Sequence, residues 1–224
     1  MLIKGPVLKG LALLPLLLLL AVGPARAGAL DDVENGLALD DVSSGLAAHS
    51  RGDNAGAIKR YNQALESNRL SVENRAVALN NRANAQDDLG NTEAALADYT
   101  QALRLQPTFA EAYFNRSFVL YKLGRYDEAL HDLDRVISLD PELAPAYFNR
   151  SFLMLQKGLV ARAIADVEKA VQLEPTNRKY RQHLEELQSA EAKNPPQEVK
   201  PPAKAPAAPA AAPSPHETPA PAER

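Results

Sequence analysis

The residue types most often used for chemistry are missing from this chain or scattered along it. There is no cysteine among the 224 residues, which removes a thiol nucleophile, an iron–sulfur cluster and every thiolate metal site. The four histidines, His49, His131, His183 and His216, give no pair with metal-ligand spacing on one helix. No glycine-rich phosphate loop, G-x-S-x-G turn or H-E-x-x-H helix is present. Acid pairs occur at Asp31-Asp32, Asp40-Asp41 and Asp87-Asp88. Without the loop glycine and distal Glu of a calcium hand, they read as solvated surface. No catalytic residue, cofactor or metal is expected, and the chain does not read as an enzyme. One polar pattern does repeat. Arg82, Arg116 and Arg150 recur at one fixed step, and Asp98, Asp132 and Asp166 follow them at a constant shorter interval. Either each Arg meets its own Asp across two antiparallel helices, or the arginines face a ligand carboxylate. Acids that keep step with the arginines favour the ion pair, worth ~0–1 kcal/mol at a partly exposed site.

The elements that would hold these groups follow the same period. Ala112–Phe118 returns unchanged as Ala146–Phe152 and, in altered form, as Ala78–Asn84. Gly90, Gly124 and Gly158 keep the step, as do Ala95, Ala129 and Ala163, and Pro107, Pro141 and Pro175. A fixed period of about 34 residues signals stacked repeats. Each unit reads as two helices. In the second, apolar residues at helical spacing predict a helix over Ala112–Leu123, which Gly124 ends with a left-handed turn. A second helix follows over Tyr126–Leu139, stopped by Asp140-Pro141. Alanine at 95, 129 and 163 lets the paired helices approach closely.

This pattern resembles the tetratricopeptide repeat (TPR), with a small residue near the middle of each unit and a closing proline. The resemblance implies an all-α solenoid of helical hairpins, wound as a right-handed superhelix. Three units fit, at 76–109, 110–143 and 144–177. An earlier unit, 38–71, is degenerate: it keeps Gly52, Ala57, Tyr61 and Ala64 but has Arg69 where the proline belongs. The step from Gly52 to Gly90 is longer than the period, so one helix is expected to gain about one turn. Residues 178–192 place Tyr180, Leu184 and Leu187 on one stripe, as expected of a helix that caps the last repeat.

The resemblance further implies that first-helix positions line a concave groove. Across the three units these include Asn80 and Asn84; Phe114, Asn115, Phe118 and Tyr121; and Phe148, Asn149 and Phe152. Asp87, Asp88, Glu111 and Lys122 fall on the same face. One end is polar and acidic, the other aromatic. Two readings of the four phenylalanines stand: anchors for a bound polypeptide, or packing inside the superhelix and beneath the capping helix. Asn84 and Asn115 match asparagine positions of TPR domains that clamp an acidic C-terminus. The basic positions of that clamp hold Asn80, Pro145 and Asn149, so the clamp is incomplete.

The two ends differ from the middle. Lys4 and Lys9 precede the apolar run Leu11–Val22, and Ala25-Arg26-Ala27 follows. This reads as a signal peptide over 1–27, cleaved after Ala27. Twelve apolar residues fall short of the about 20 that span a membrane, so no stable anchor is expected after cleavage. A linker is expected over 28–37. Ten of the 17 prolines and nine alanines lie in 194–224, a segment expected to stay extended and disordered. The full chain has a formal charge of −3; beyond residue 27, 22 basic residues face 28 acids, giving −6. No basic surplus points to nucleic acid. Together these features indicate an exported, Gram-negative periplasmic scaffold that binds a peptide or helix of an envelope protein in its groove. The alternative is a structural module that self-assembles into homo-oligomers by stacking repeats end to end.

Overall fold

The computed structural model describes the backbone of residues 28–193 and the side chains of residues 36–193. The signal segment 1–27 and the Pro/Ala-rich tail 194–224 lie outside the described residues. Nine helices and no strand occur among the described residues: α1 Gly28–Ser50, α2 Asn54–Glu66, α3 Val72–Asp88, α4 Thr92–Leu105, α5 Ala110–Lys122, α6 Tyr126–Leu139, α7 Ala144–Gln156, α8 Val160–Leu173 and α9 Arg178–Lys193. The first eight pair as hairpins α1/α2, α3/α4, α5/α6 and α7/α8, and α9 packs on α8.

Local chemistry sets these boundaries. Gly52, Gly90, Gly124 and Gly158 have φ of +82°, +81°, +72° and +71°, the left-handed turn between the helices of a hairpin. At the other junctions, Gln106, Asp140 and Glu174 are extended, as a residue before proline prefers. The next proline begins a tight turn; Phe109 N–H closes one on Gln106 O at 3.1 Å, with Pro107 at the position that favours it. Inside each hairpin Ala57, Ala95, Ala129 and Ala163 are fully buried. The extra turn of the first step lies in α3, which has 17 residues against 13 in α5 and α7.

The start of the chain departs from expectation. Residues 28–37, expected as a linker, are helical and continuous with the rest of α1. Ala38, Leu39 and Val42 of that helix pack on the core built by α2, α3 and α4. Gly45 sits against the ring of Tyr61 so closely that a Cβ there would stand 2.6 Å from Cε1. Tyr61 is itself fully buried.

Candidate functional site

Two sets of polar side chains emerge from this scaffold. The first is the Arg–Asp series. Arg82 donates two bonds of 2.7 Å to Asp98, Arg116 two of 2.7 Å to Asp132, and Arg150 bonds of 2.7 and 2.8 Å to Asp166. Each first helix is thereby pinned to its own second helix by a planar two-bond fork. The third guanidinium nitrogen reaches back to the preceding unit: to Asn62 Oδ1 at 2.6 Å, Thr100 Oγ1 at 3.3 Å and Asp134 Oδ1 at 2.7 Å. Asp132 is only 1% exposed and the other two aspartates are also buried. The expectation of a partly exposed pair is corrected here on the acidic side, because the aspartates turn inward between the helices. Arg116 also floors an outer cleft of about 700 Å³ between α4 and α6, lined in part by Thr100, Arg104 and Glu128.

The second set is the inner face made by α3, α5 and α7. Asn80 is 1% exposed, and it donates to Glu111 Oε1 at 3.2 Å while accepting from Asn115 Nδ2 at 3.3 Å. Asn84 accepts from the Tyr99 hydroxyl at 2.5 Å. Lys122 donates to Asp87 at 2.7 Å, lies 4.8 Å over the Phe118 ring, and His49 meets Asp88 at 2.9 Å. Burial raises the pKa of Glu111, against the opposing pull of bonds from Asn80 and Asn115. Burial also pushes the Tyr99 phenol well up, helped by the charges of Asp87, Asp88, Glu111 and Asp98.

Of the expected groove residues, the structure keeps Asn84, Phe114, Asn115, Phe118 and Tyr121 partly exposed. It buries Asn80 and Asn149, expected on the groove surface, and it buries Phe148, for which packing beneath the capping helix was one of the two readings. Phe148 is 3% exposed because α9 covers it: the Tyr180 ring lies 4.6 Å away and the His183 ring 5.4 Å. His183 also stacks on Phe152 at 4.6 Å and 14°. On α7 the cap thus covers Phe148 and packs on half-buried Phe152, whereas Phe114, Phe118 and Tyr121 of α5 are half-buried away from it. Among the described residues no group of three His, Cys, Asp or Glu side chains is arranged to hold a metal ion.

Family models place this geometry. A model described as TPR repeat matches residues 83–124, and two described as tetratricopeptide repeat match 110–143 and 144–177. The chain is a tetratricopeptide-repeat protein. Solved TPR structures share its fold. MamA of Desulfovibrio magneticus RS-1 superposes with a TM-score of 0.62 at 23% identity, over 71% of this chain and 86% of its own. The first TPR domain of RPAP3, solved with the HSP90 peptide SRMEEVD, gives 0.51 at 22% identity, over 54% and 95%. The TPR domain of Arabidopsis OM64 gives 0.51 at 22%, over 54% and 99%. No curated protein sequence matches the chain. Proteins of this fold are in general non-catalytic interaction scaffolds.

Within this TPR protein, sequence reasoning missed the third partners Asn62, Thr100 and Asp134. A signal for them exists. Thr100 and Asp134 are one period apart, and each precedes its arginine by the interval that separates that arginine from its own aspartate. It missed His183 as well, because stacking between α9 and α7 depends on how the cap docks, which no spacing encodes. Pro145 and Leu155 of α7 are half-buried and Gln156 is exposed.

Proposed function

We propose that this TPR protein is a non-catalytic adaptor that holds an extended segment or helix of another protein on its inner face. The observation that carries the reading is the half-buried α5 stripe. Glu111, Phe114, Phe118 and Tyr121 are spaced three to four residues apart on one side of one helix, and all are partly exposed. Aromatic rings at such spacing beside polar side chains suit a helix or strand laid into a groove. The peptide bound by the RPAP3 neighbour supports the general mode. The short signal-like segment 1–27 and the alanine-rich composition support a Gram-negative periplasmic setting, with an envelope protein as partner. Selecting binders from a displayed random-peptide library tests the groove. Selected peptides should lose at least tenfold in affinity, about 1.4 kcal/mol, on Phe114→Ala/Phe118→Ala. Undiminished binding to a folded double variant rejects the groove.

The second reading, end-to-end self-assembly, draws on Leu37 and Leu46, which α1 exposes to 58% and 42%. Light scattering on residues 28–224 across concentration separates the two, since a monomer at every concentration excludes assembly through α1.

A further inference from the structure

The charge pattern of the inner face selects the chemistry of its occupant. Among the described residues, the cations that pack near the α3–α5 face are already engaged. Lys122 is held by Asp87, and His49 by Asp88. Arg82 and Arg116 turn instead to the second helices, bound by Asp98 and Asn62 and by Asp132 and Thr100. Glu111 receives none of them. Its hydrogen-bond partners are the side-chain amides of Asn80 and Asn115, neutral donors that orient the carboxylate without neutralising it. A half-buried carboxylate in a protein ordinarily has a cation beside it. One turn further along α5 stands Phe114, and two turns along stands Phe118, both partly exposed. The face therefore offers an uncompensated negative charge at one end of an aromatic stripe.

Resting on the inner-face binding described above, we propose that the occupant is a cationic, apolar polypeptide segment. Its Lys or Arg completes the Glu111 site, and apolar side chains one and two turns on meet Phe114 and Phe118. An acidic segment is disfavoured by the same geometry. Its carboxylate would approach Glu111, and Lys122 on the same face is already held by Asp87. The cation supplies what the amides lack, a charge-assisted hydrogen bond at a site already shielded from water. Asn80 and Asn115 act as positioning residues that hold the carboxylate toward the groove.

The experiment uses residues 28–224 and two fluorescein-labelled twelve-residue peptides, identical in leucine and alanine content. One carries two lysines where the other carries two glutamates. Anisotropy should show the lysine peptide binding at least about tenfold more tightly, the scale of one charge-assisted bond. Glu111→Gln, which keeps the oxygen that Asn80 donates to, should bring the two affinities within about twofold while melting no lower than the parent. Phe114→Ala should weaken both peptides together. Equal binding of the two peptides, preference for the glutamate peptide, or a lysine preference that survives Glu111→Gln overturns the cation proposal and leaves groove binding standing. Failure of both peptides to bind, with the displayed library also yielding no binder that depends on Phe114, overturns both.

Discussion

At the residue scale, the arginine series shows what spacing can and cannot encode. A constant interval is enough to name each aspartate, because two antiparallel helices joined by a short turn bring those positions level. Spacing does not encode depth. With Asp132 1% exposed, removing its guanidinium strands a buried charge, an effect of roughly 3–5 kcal/mol. Arg116→Ala should therefore lower the melting temperature sharply. Adding Asp132→Ala should recover part of the loss, since no charge is then left without a partner. Strictly additive losses in thermal melts would show that the pair is not coupled. Glu111 behaves oppositely. Burial raises its pKa above the ordinary carboxyl value, so the folded state holds this proton more tightly than the unfolded chain does. The stability it contributes is complete below about pH 4.5 and declines as pH rises through the folded pKa. Glu111→Gln should consequently raise the melting temperature at pH 7, with the gain shrinking toward zero near pH 4. A gain that is equal at both pH values would mean the charge is not its source.

At the element scale, the helices of the regular units are legible because glycine and proline punctuate them. The helix expected over Ala112–Leu123 forms as Ala110–Lys122, and the one expected over Tyr126–Leu139 forms with those limits. The long step from Gly52 to Gly90 reveals an extra turn but not its owner. Ser71, whose hydroxyl accepts from Asn74 N–H at 3.1 Å, caps α3 early and so assigns the turn to that helix. The opening of α1 is less legible. Gly28, Gly36 and Gly45 are poor helix formers, and the acids between them hide the apolar period. Tertiary contact supplies the missing signal, through Ala38 on the core of α2 to α4 and Gly45 on Tyr61. Gly45→Ala tests that contact. Propensity alone would favour alanine by about 1 kcal/mol. The ring of Tyr61 at 2.6 Å from the new Cβ makes overpacking of roughly 1–3 kcal/mol the larger effect. A lower melting temperature is expected. A higher one would show that α1 is free to shift away from α2.

At the scale of the whole molecule, the inner face and the cap are one problem. A stack of hairpins buries each apolar surface against the next unit, so the last unit needs a substitute neighbour. The sequence announces the substitute through Tyr180, Leu184 and Leu187. It leaves open which phenylalanines that helix claims, because identical Ala-Tyr-Phe-Asn-Arg-Ser-Phe segments at 112 and 146 cannot differ in local preference. Their surroundings differ: α5 packs in one cluster with α6 and α7, whereas α7 meets α9. Position in the stack, not residue type, decides which phenylalanines the cap covers. Ending the chain after Asn177 tests this directly. It removes Tyr180 from the core that contains Phe148, Val167 and Ala170, uncovering those side chains together with Phe152. The truncated chain should melt at a lower temperature and self-associate as concentration rises, seen as growing mass in light scattering. Phe148→Ser/Phe152→Ser in the truncated background should suppress that association without restoring the melting temperature. A shortened chain that stays monomeric and melts like the parent would mean that α9 covers nothing the stack needs buried.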